Sequence, residues 1–319
     1  MKALFVTNAG PVTGGGHLSR CLALSQALDG RGAESVWALN GDAAPQAAAL
    51  GINNAFFFPD PFNDDISSLL GNADFSVIDS YEADEGFYES ASSRSPLVVI
   101  DAPSPIGAER FARVIIDYAI GAETCRPSTA SCEYLSGPRY APLRREYWNM
   151  EPRPGNYALF VPGAADVAGS AADIAGMWPE DACKLVIVLG PLVPVRRGDE
   201  ARAAARGRGN VEIAASPQDF PSLLAGAGRV ICSASVTAYE ALAMEKPTAV
   251  FTVADNQRGL GEYLSGIGAA FDLGEWRDAG PDSIRDALRF APNREALKGL
   301  VNKRGALACA EAIMDIMGH

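Results

Sequence analysis

The sequence predicts an α/β protein of two doubly wound parallel sheets with helices on both faces, and three observations carry that expectation. Short runs of β-branched, aromatic and leucine residues alternate with helical patterns along most of the chain, the rhythm of right-handed βαβ units. Several of these runs are apolar without interruption, as parallel strands covered on both faces should be. The length, 319 residues, suits two domains of about 150 residues better than one.

In chain order the first half offers strands at residues 3–7, 35–39, 55–58, 75–79, 97–101 and 113–116. The second half offers 157–161, 185–189, 211–213, 229–232, 248–253 and 269–273. Between them Glu151-Pro152-Arg153-Pro154-Gly155-Asn156 breaks both periodicities and is taken as the linker. The expected domains are therefore residues 1–150 and 157–303, facing each other across a cleft. Residues 304–319 form an alanine-rich helix that is expected to pack back on the first domain.

Composition narrows the function. Hydrophobic residues make up 48% and charged residues 21% of the chain, a globular composition with a sizeable core. The net charge of −12 argues against nucleic acid or an anionic membrane as partner, while a small phosphorylated ligand still fits a locally positive pocket. Cysteines 21, 125, 132, 183, 232 and 309 form no CxxC pair and have no histidines beside them, so no zinc or other metal is expected. The start, Met1-Lys2-Ala3-Leu4-Phe5-Val6, turns polar too soon for a secretory signal. No apolar run approaches the roughly 20 residues of a membrane helix. A cytoplasmic protein with reduced thiols is the expectation.

Four polar loops follow predicted strands, where open α/β sheets place ligands. The first is Gly14-Gly15-Gly16-His17-Leu18-Ser19-Arg20-Cys21. The other histidine, His319, is the last residue, so imidazole chemistry in the body of the protein belongs to His17. Leu18, Cys21, Leu22, Ser25 and Leu28 keep the spacing of a buried helix face, which puts His17 in the first turn. The helix dipole there disfavours an imidazolium, leaving a neutral base able to take a proton from water or a sugar hydroxyl. Three glycines let the backbone turn sharply and approach a ligand. A histidine that merely packs beside a glycine turn fits the pattern equally well. Arg20 is placed to meet an anionic group, or to serve as an ordinary salt-bridged arginine.

The second loop, Ser233-Ala234-Ser235 leading into Val236-Thr237-Ala238-Tyr239-Glu240, suits backbone N–H contacts to phosphate, with Glu240 accepting from ribose hydroxyls. Thr237-x-x-Glu240 also fits a capping box, the slightly favoured alternative. The third, Ala254-Asp255-Asn256-Gln257, offers Asn256 and Gln257 to a substrate, or Asp255 and Asn256 as helix N-caps. The fourth, Asp79-Ser80-Tyr81, offers Tyr81 to a sugar or to the core. Jointly, polar loops in both halves converging on one cleft favour a small-molecule site.

With these residues assembled, the chain resembles the glycosyltransferase-B (GT-B) superfold of two Rossmann-like domains, and within it the PseG-like branch near MurG. The pieces that carry the likeness are Gly16-His17-Leu18-Ser19-Arg20-Cys21-Leu22-Ala23-Leu24, Val77-Ile78-Asp79-Ser80-Tyr81, Gly137-Pro138-Arg139-Tyr140-Ala141-Pro142-Leu143-Arg144-Arg145-Glu146-Tyr147, Ser233-Ala234-Ser235 with Glu240-Ala241, and Asp255-Asn256-Gln257. They run from residue 3 to about 273. The resemblance implies metal-independent and cofactor-free hydrolysis of a UDP-linked diacetamido-trideoxy sugar in pseudaminic acid or related surface-glycan synthesis. His17 is implied as the base that activates water, with Tyr81 and Asn256 on the sugar. Substrate-binding positions are implied at Gly14, Gly15, Gly16, Arg20, Gln257, the 233–235 turn for the diphosphate and Glu240 for the ribose. Relatives suggest that a monomer suffices. The chain departs from the pattern at Phe160-Val161-Pro162-Gly163-Ala164-Ala165-Asp166, at Ala102 after Asp101, and at Asp117. Two alternatives stand beside this reading: a GT-B glycosyltransferase using a UDP-sugar donor, and a non-catalytic paralogue that binds a nucleotide sugar.

Overall fold

The computed structural model describes residues 1–11, 13–100, 107–124 and 132–318. Asp101, Ala102, Cys125 and His319 lie outside these residues. The chain forms two compact units, residues 1–148 with 302–319, and residues 149–301.

The first unit carries seven parallel strands: β1 (Lys2–Thr7), β2 (Glu34–Asn40), β3 (Ala55–Phe58), β4 (Phe75–Asp79), β5 (Leu97–Ile100), β6 (Ala112–Asp117) and β7 (Glu133–Ser136). Their spatial order is β3-β2-β1-β4-β5-β6-β7. The second unit carries β8 (Tyr157–Val161), β9 (Lys184–Leu189), β10 (Val211–Ala215), β11 (Arg229–Ser233), β12 (Thr248–Thr252) and β13 (Ala270–Glu275), ordered β10-β9-β8-β11-β12-β13. Every pairing between these strands is parallel. Both units are doubly wound and of Rossmann type. The winding reverses between β1 and β4 in the first and between β8 and β11 in the second, and ligands of such sheets bind at that point, beyond the carboxyl ends of the strands.

Continuous apolarity marks the central strands. All of Leu4, Phe5 and Val6 in β1 are fully buried, as are Leu159 and Phe160 in β8. Each such side chain is worth about 1.5–3 kcal/mol on burial. Phe5 stacks on Trp37 at 4.6 Å in the first core, and Phe160 stacks on Phe251 at 5.4 Å in the second, with Trp276 beside both. One strand was not expected from the sequence. β7, Glu-Tyr-Leu-Ser, is an edge strand whose first residues are not buried, so it has neither an apolar run nor a clean alternation.

The first helix, Gly16–Asp29, buries Leu18, Cys21, Leu22, Ser25 and Leu28, and also Ala23, Leu24 and Ala27. It is covered on more than one face because the last helix, Gly305–Met317, packs on it within the same unit. Gly305 lets the last helix also approach the segment after Tyr140, since a Cβ there would overlap the Ala141 backbone. Arg31–Glu311 (3.3 Å) and Cys309 Sγ to the Tyr140 carbonyl (3.3 Å) fasten the helix further. The stretch 151–156, expected as the linker, is fastened to the second unit. The Arg153 N–H donates to the Ala225 carbonyl at 3.1 Å, Lys246 Nζ donates to the Arg153 carbonyl at 2.6 Å, and Gly155 lies against the backbone of residues 226–228. Its prolines and glycine shape a docked segment, and the boundary between the units falls at Trp148.

Candidate active site

In the first unit the chain leaves β1 at Thr7, which lies in register with Asp79, the last residue of β4. Thr7 Oγ1 donates to the Asp79 carbonyl at 2.8 Å and ties the two strand ends together. The loop that follows is braced at each step. Asn40 grips Ala9 from both sides, accepting from its N–H at 3.0 Å and donating to its carbonyl at 2.9 Å. Gly10 and Gly14 exchange backbone hydrogen bonds of 3.1 and 2.8 Å, and Gly14 turns the chain at φ +73°, a conformation that favours glycine. Gly15 caps the helix with no side chain, and a Cβ there would overlap the Gln46 amide, whose Nε2 donates to the Gly15 carbonyl at 3.0 Å. Gly16 opens the helix and His17 is its second residue.

The glycine turn thereby delivers His17 to the point where the winding of the sheet reverses. Its Nδ1 sits 2.6 Å from Asp79 Oδ1, and the carboxylate is fully buried. A carboxylate on Nδ1 holds the imidazole in the tautomer that leaves Nε2 with the free lone pair. Among the described residues nothing hydrogen-bonds Nε2, and the side chain is 7% exposed. Tyr81 lies edge-on to the ring at 4.7 Å and is itself 60% exposed, so the core does not claim it.

Arg20, one helical turn on, is buried and grips Asp79 with two bonds, Nε to Oδ2 at 2.5 Å and Nη2 to Oδ1 at 2.6 Å. Its Nη1 donates to the Tyr118 hydroxyl at 2.7 Å. In place of the ligand anion considered from the sequence, the structure shows this guanidinium on Asp79. Burial by itself pushes the Asp79 carboxyl up, but the charges and hydrogen bonds of Arg20 and His17 outweigh it and hold the group down at about 2. Cys21 Sγ also lies 3.7 Å from Asp79 Oδ2. Burial and that neighbouring carboxylate push the thiol up, so it stays protonated. An open cavity of about 430 Å³ lies at the ends of β2 and β3, lined by Asn40, Gly41, Asp42, Phe57, Phe58 and Pro59. It includes none of the His17–Asp79–Arg20 group.

In the second unit the turn Ser233-Ala234-Ser235 starts from the last residue of β11, again where the winding reverses. Ser233 and Ser235 hydroxyls share a 3.0 Å hydrogen bond, and Ser235 is the N-cap of the helix Val236–Ala243 without a side-chain bond to it. The capping-box alternative is therefore corrected: Thr237 and Glu240 both lie inside the helix, because the chain becomes helical at Val236 rather than after Thr237. Glu240 is buried within that helix. Gly163 follows β8 at φ +95°, with room for a Cβ 3.7 Å from Ser233 Oγ. Asp166 turns inward to accept from Ser170 N–H (2.8 Å), Ser170 Oγ (2.9 Å) and Ala171 N–H (3.2 Å).

After β12, Asp255, Asn256 and Gln257 form a 3-10 turn whose N-cap is Ala254, and Gln257 precedes the helix Arg258–Gly266 without a capping bond. The N-cap alternative for Asp255 and Asn256 is corrected too, since Asp255 pairs with Arg258 at 3.2 Å and the helix starts three residues later. Gln257 Oε1 accepts from the Val253 N–H at 3.0 Å, while Asn256 is exposed.

Two doubly wound units, one ending in a buried His–Asp pair and the other in a small-residue turn before a helix, define a two-domain α/β class. Comparison with solved structures shows which. MurG of Acinetobacter baumannii matches with a TM-score of 0.63 at 15% identity, over 100% of this chain and 99% of its own. The glycosyltransferase SnogD of Streptomyces nogalater matches at 0.61 and 18%, over 99% of each chain. A UDP-glucosyltransferase of Polygonum tinctorium matches at 0.65 and 10%, over 100% and 98%. The chain has the GT-B fold. No family model matches it, and no curated protein does.

Asp79 is the residue sequence reasoning left out of the site. Its signal was an acid closing an otherwise buried strand beside β1, a position that a doubly wound order puts next to the first loop.

Proposed function

We propose that this chain acts on a nucleotide sugar, with His17 as the general base. The observation that carries the reading is the 2.6 Å contact of His17 Nδ1 with an Asp79 carboxylate held ionised by Arg20. His17 Nε2 takes the proton of an attacking hydroxyl as its oxygen bonds to the anomeric carbon. The bond from that carbon to the phosphate oxygen breaks, and its electron pair leaves with the nucleoside diphosphate. Asp79 then faces the imidazolium and stabilises it. General-base help of this kind supplies roughly 10²–10⁴-fold, and binding the leaving diphosphate supplies more. The turn 233–235 and the N–H groups opening the helix Val236–Ala243 suit that anion, and Glu240 suits the ribose. Tyr81, Asn256 and Gln257 are assigned to the sugar.

Transfer to an acceptor hydroxyl is the reading that the fold favours, since SnogD and the Polygonum enzyme are glycosyltransferases. Hydrolysis is the second reading. The blocks at 16–24 and 137–147 that resemble PseG-type hydrolases of UDP-diacetamido sugars support it. So does the enclosure of the His17 ring, 7% exposed, which suits water better than a bulky acceptor. Incubation with UDP-sugars, following UDP by phosphorus NMR, tests both. Release without acceptor in ¹⁸O-water, with label in the free sugar, supports hydrolysis, and release only with an added hydroxyl acceptor supports transfer. No turnover and no binding of UDP by the chain would refute the proposal.

A further inference from the structure

β3 is the outermost strand of the first sheet, paired with β2 on one side and, among the described residues, with no strand on the other. Its sequence is Ala55-Phe56-Phe57-Phe58, and Phe56 and Phe57 are each 47% exposed. Successive side chains of a strand point to opposite faces, so each face of the sheet ends in a half-exposed phenyl ring. A bare apolar edge is a template for another strand, and proteins commonly blunt such edges with charge. The other three sheet edges follow that rule: β7 carries Glu133, β10 carries Glu212, and β13 carries Asp272 and Glu275. Around β3 no charged residue occurs from 43 to 59, in a chain of net charge −12.

Backbone direction decides what this edge can pair with. The Trp37 N–H donates to the Asn54 carbonyl at 3.1 Å, so Asn54 and Phe56 turn their backbone polar groups toward β2, and Ala55 and Phe57 turn theirs outward. We propose that β3 pairs antiparallel with β3 of a second copy of this chain, about a two-fold axis at Phe56, joining two seven-stranded sheets into one. A second copy is the occupant because a two-fold contact sets each residue against one from the same segment, which is tolerated where that segment is uncharged. The outward groups are reciprocal: the Ala55 N–H of each copy donates to the Phe57 carbonyl of the other, and the Phe57 N–H to the Ala55 carbonyl. The flanks fix this register. An axis at Phe57 would need an N–H from residue 59, and Pro59 has none. An axis at Ala55 would need residue 53 in the strand, but Asn54 breaks the strand at φ +59°. With the axis at Phe56, each Phe56 meets its own copy in the non-hydrogen-bonded position, with Cα atoms about 4.5 Å apart. On the other face Phe57 lies over Ala55 of the second copy, whose methyl group leaves room for the ring. The inference stands apart from the proposed function, and it departs from the monomer that the resemblance implies.

Sedimentation velocity of the full chain over a dilution series tests it. The wild-type chain should pass from monomer to dimer as concentration rises and stop there, since a two-fold contact closes on itself. Phe56→Lys sets two like charges directly opposite and should weaken the dimer roughly 10-fold or more, as should Phe56→Glu. Both should unfold at the wild-type temperature when dilute, because residue 56 is half exposed. Mixed in equal amounts, these two variants should form a one-to-one dimer, because residue 56 faces itself. A mixture of Phe57→Lys and Phe57→Glu should show no preference for the mixed dimer, because residue 57 faces Ala55. If Phe56→Lys fails to fold, Phe56→Cys makes the same measurement, with the exposed Cys183 replaced by serine. Oxidised glutathione should then link two chains through residue 56, and should not link Phe57→Cys. A wild-type chain that stays monomeric at every concentration, a dimer indifferent to Phe56→Lys, or opposite charges at 56 that do not pair would overturn the proposal. None of these outcomes bears on UDP release, which tests the proposed function separately.

Discussion

Asp79→Asn is the sharpest perturbation of the site, because one isosteric change removes the partner of two buried groups. The wild-type carboxylate receives two Arg20 bonds of 2.5 and 2.6 Å and the 2.6 Å His17 contact. Its depression from 3.8 to about 2 corresponds to roughly 2 kcal/mol in favour of the ionised form, at 1.36 kcal/mol per unit. The variant forfeits that and leaves the buried Arg20 charge without its counterion, for which removal of one partner typically costs about 3–5 kcal/mol. Taking ~3 kcal/mol, the first unit should melt ~6–12 °C lower by scanning calorimetry. The asparagine amide can also present its N–H to Nδ1, favouring the wrong tautomer, so UDP release should fall ~10²–10⁴-fold. Arg20→Met added to Asp79→Asn should recover much of the melting temperature and none of the turnover. A single variant that melts as wild type, or that keeps turnover within threefold, would refute the buried triad as drawn.

The remaining expectations are simpler. Because the folded Asp79 carboxyl is held below its unfolded value of 3.8, the unfolded chain binds more protons between about pH 4 and pH 2; the stability this group gives is full above that window and is lost as pH falls through it. Acid titration of unfolding should show ~2 kcal/mol lost there, and that component should be missing from Asp79→Asn. His17→Gln should cut UDP release by ~10²–10⁴-fold with UDP affinity unchanged, and residual activity near wild type would remove His17 as the base. Ser235→Asp should hold the melting temperature, since aspartate is a good N-cap, yet weaken UDP about tenfold or more by placing a negative charge where the diphosphate is proposed to sit; unchanged affinity in calorimetry would move the diphosphate elsewhere.

The fold was legible because burial on both faces of a parallel strand leaves a direct trace. Residues 75–79 and 157–161 were read with the ends that the structure shows, and so was 55–58, although that edge strand leaves Phe56 and Phe57 exposed and was legible from its aromatic run alone. The start of the helix Gly16–Asp29 was legible for a similar reason, a glycine turn followed by buried spacing. What stayed hidden depends on partners far away in the chain. That Arg20 is salt-bridged was one of the two readings, but its partner was not legible, because Asp79 lies 59 residues on. The capping-box pattern at Thr237 and Glu240 misled because such a pattern carries no information about where the chain first becomes helical. Stretch 151–156 read as a linker because proline and glycine mark broken periodicity equally well in a docked segment.

The two units repeat one topology and use it differently, and the difference lies in which acid ends where. In the first, the last residue of β4 is Asp79, and its carboxylate meets the imidazole from the loop after β1. In the second, the equivalent strand β11 ends in Ser233, and the acid of the loop after β8, Asp166, is turned away to cap the helix Ser170–Met177. Burial pushes the Asp166 carboxyl up despite those hydrogen bonds. The second turn retains small side chains and backbone N–H groups, which suit an anion and offer no base. One topology thus ends in an imidazole–carboxylate pair in one unit and in a small-residue turn before a helix in the other.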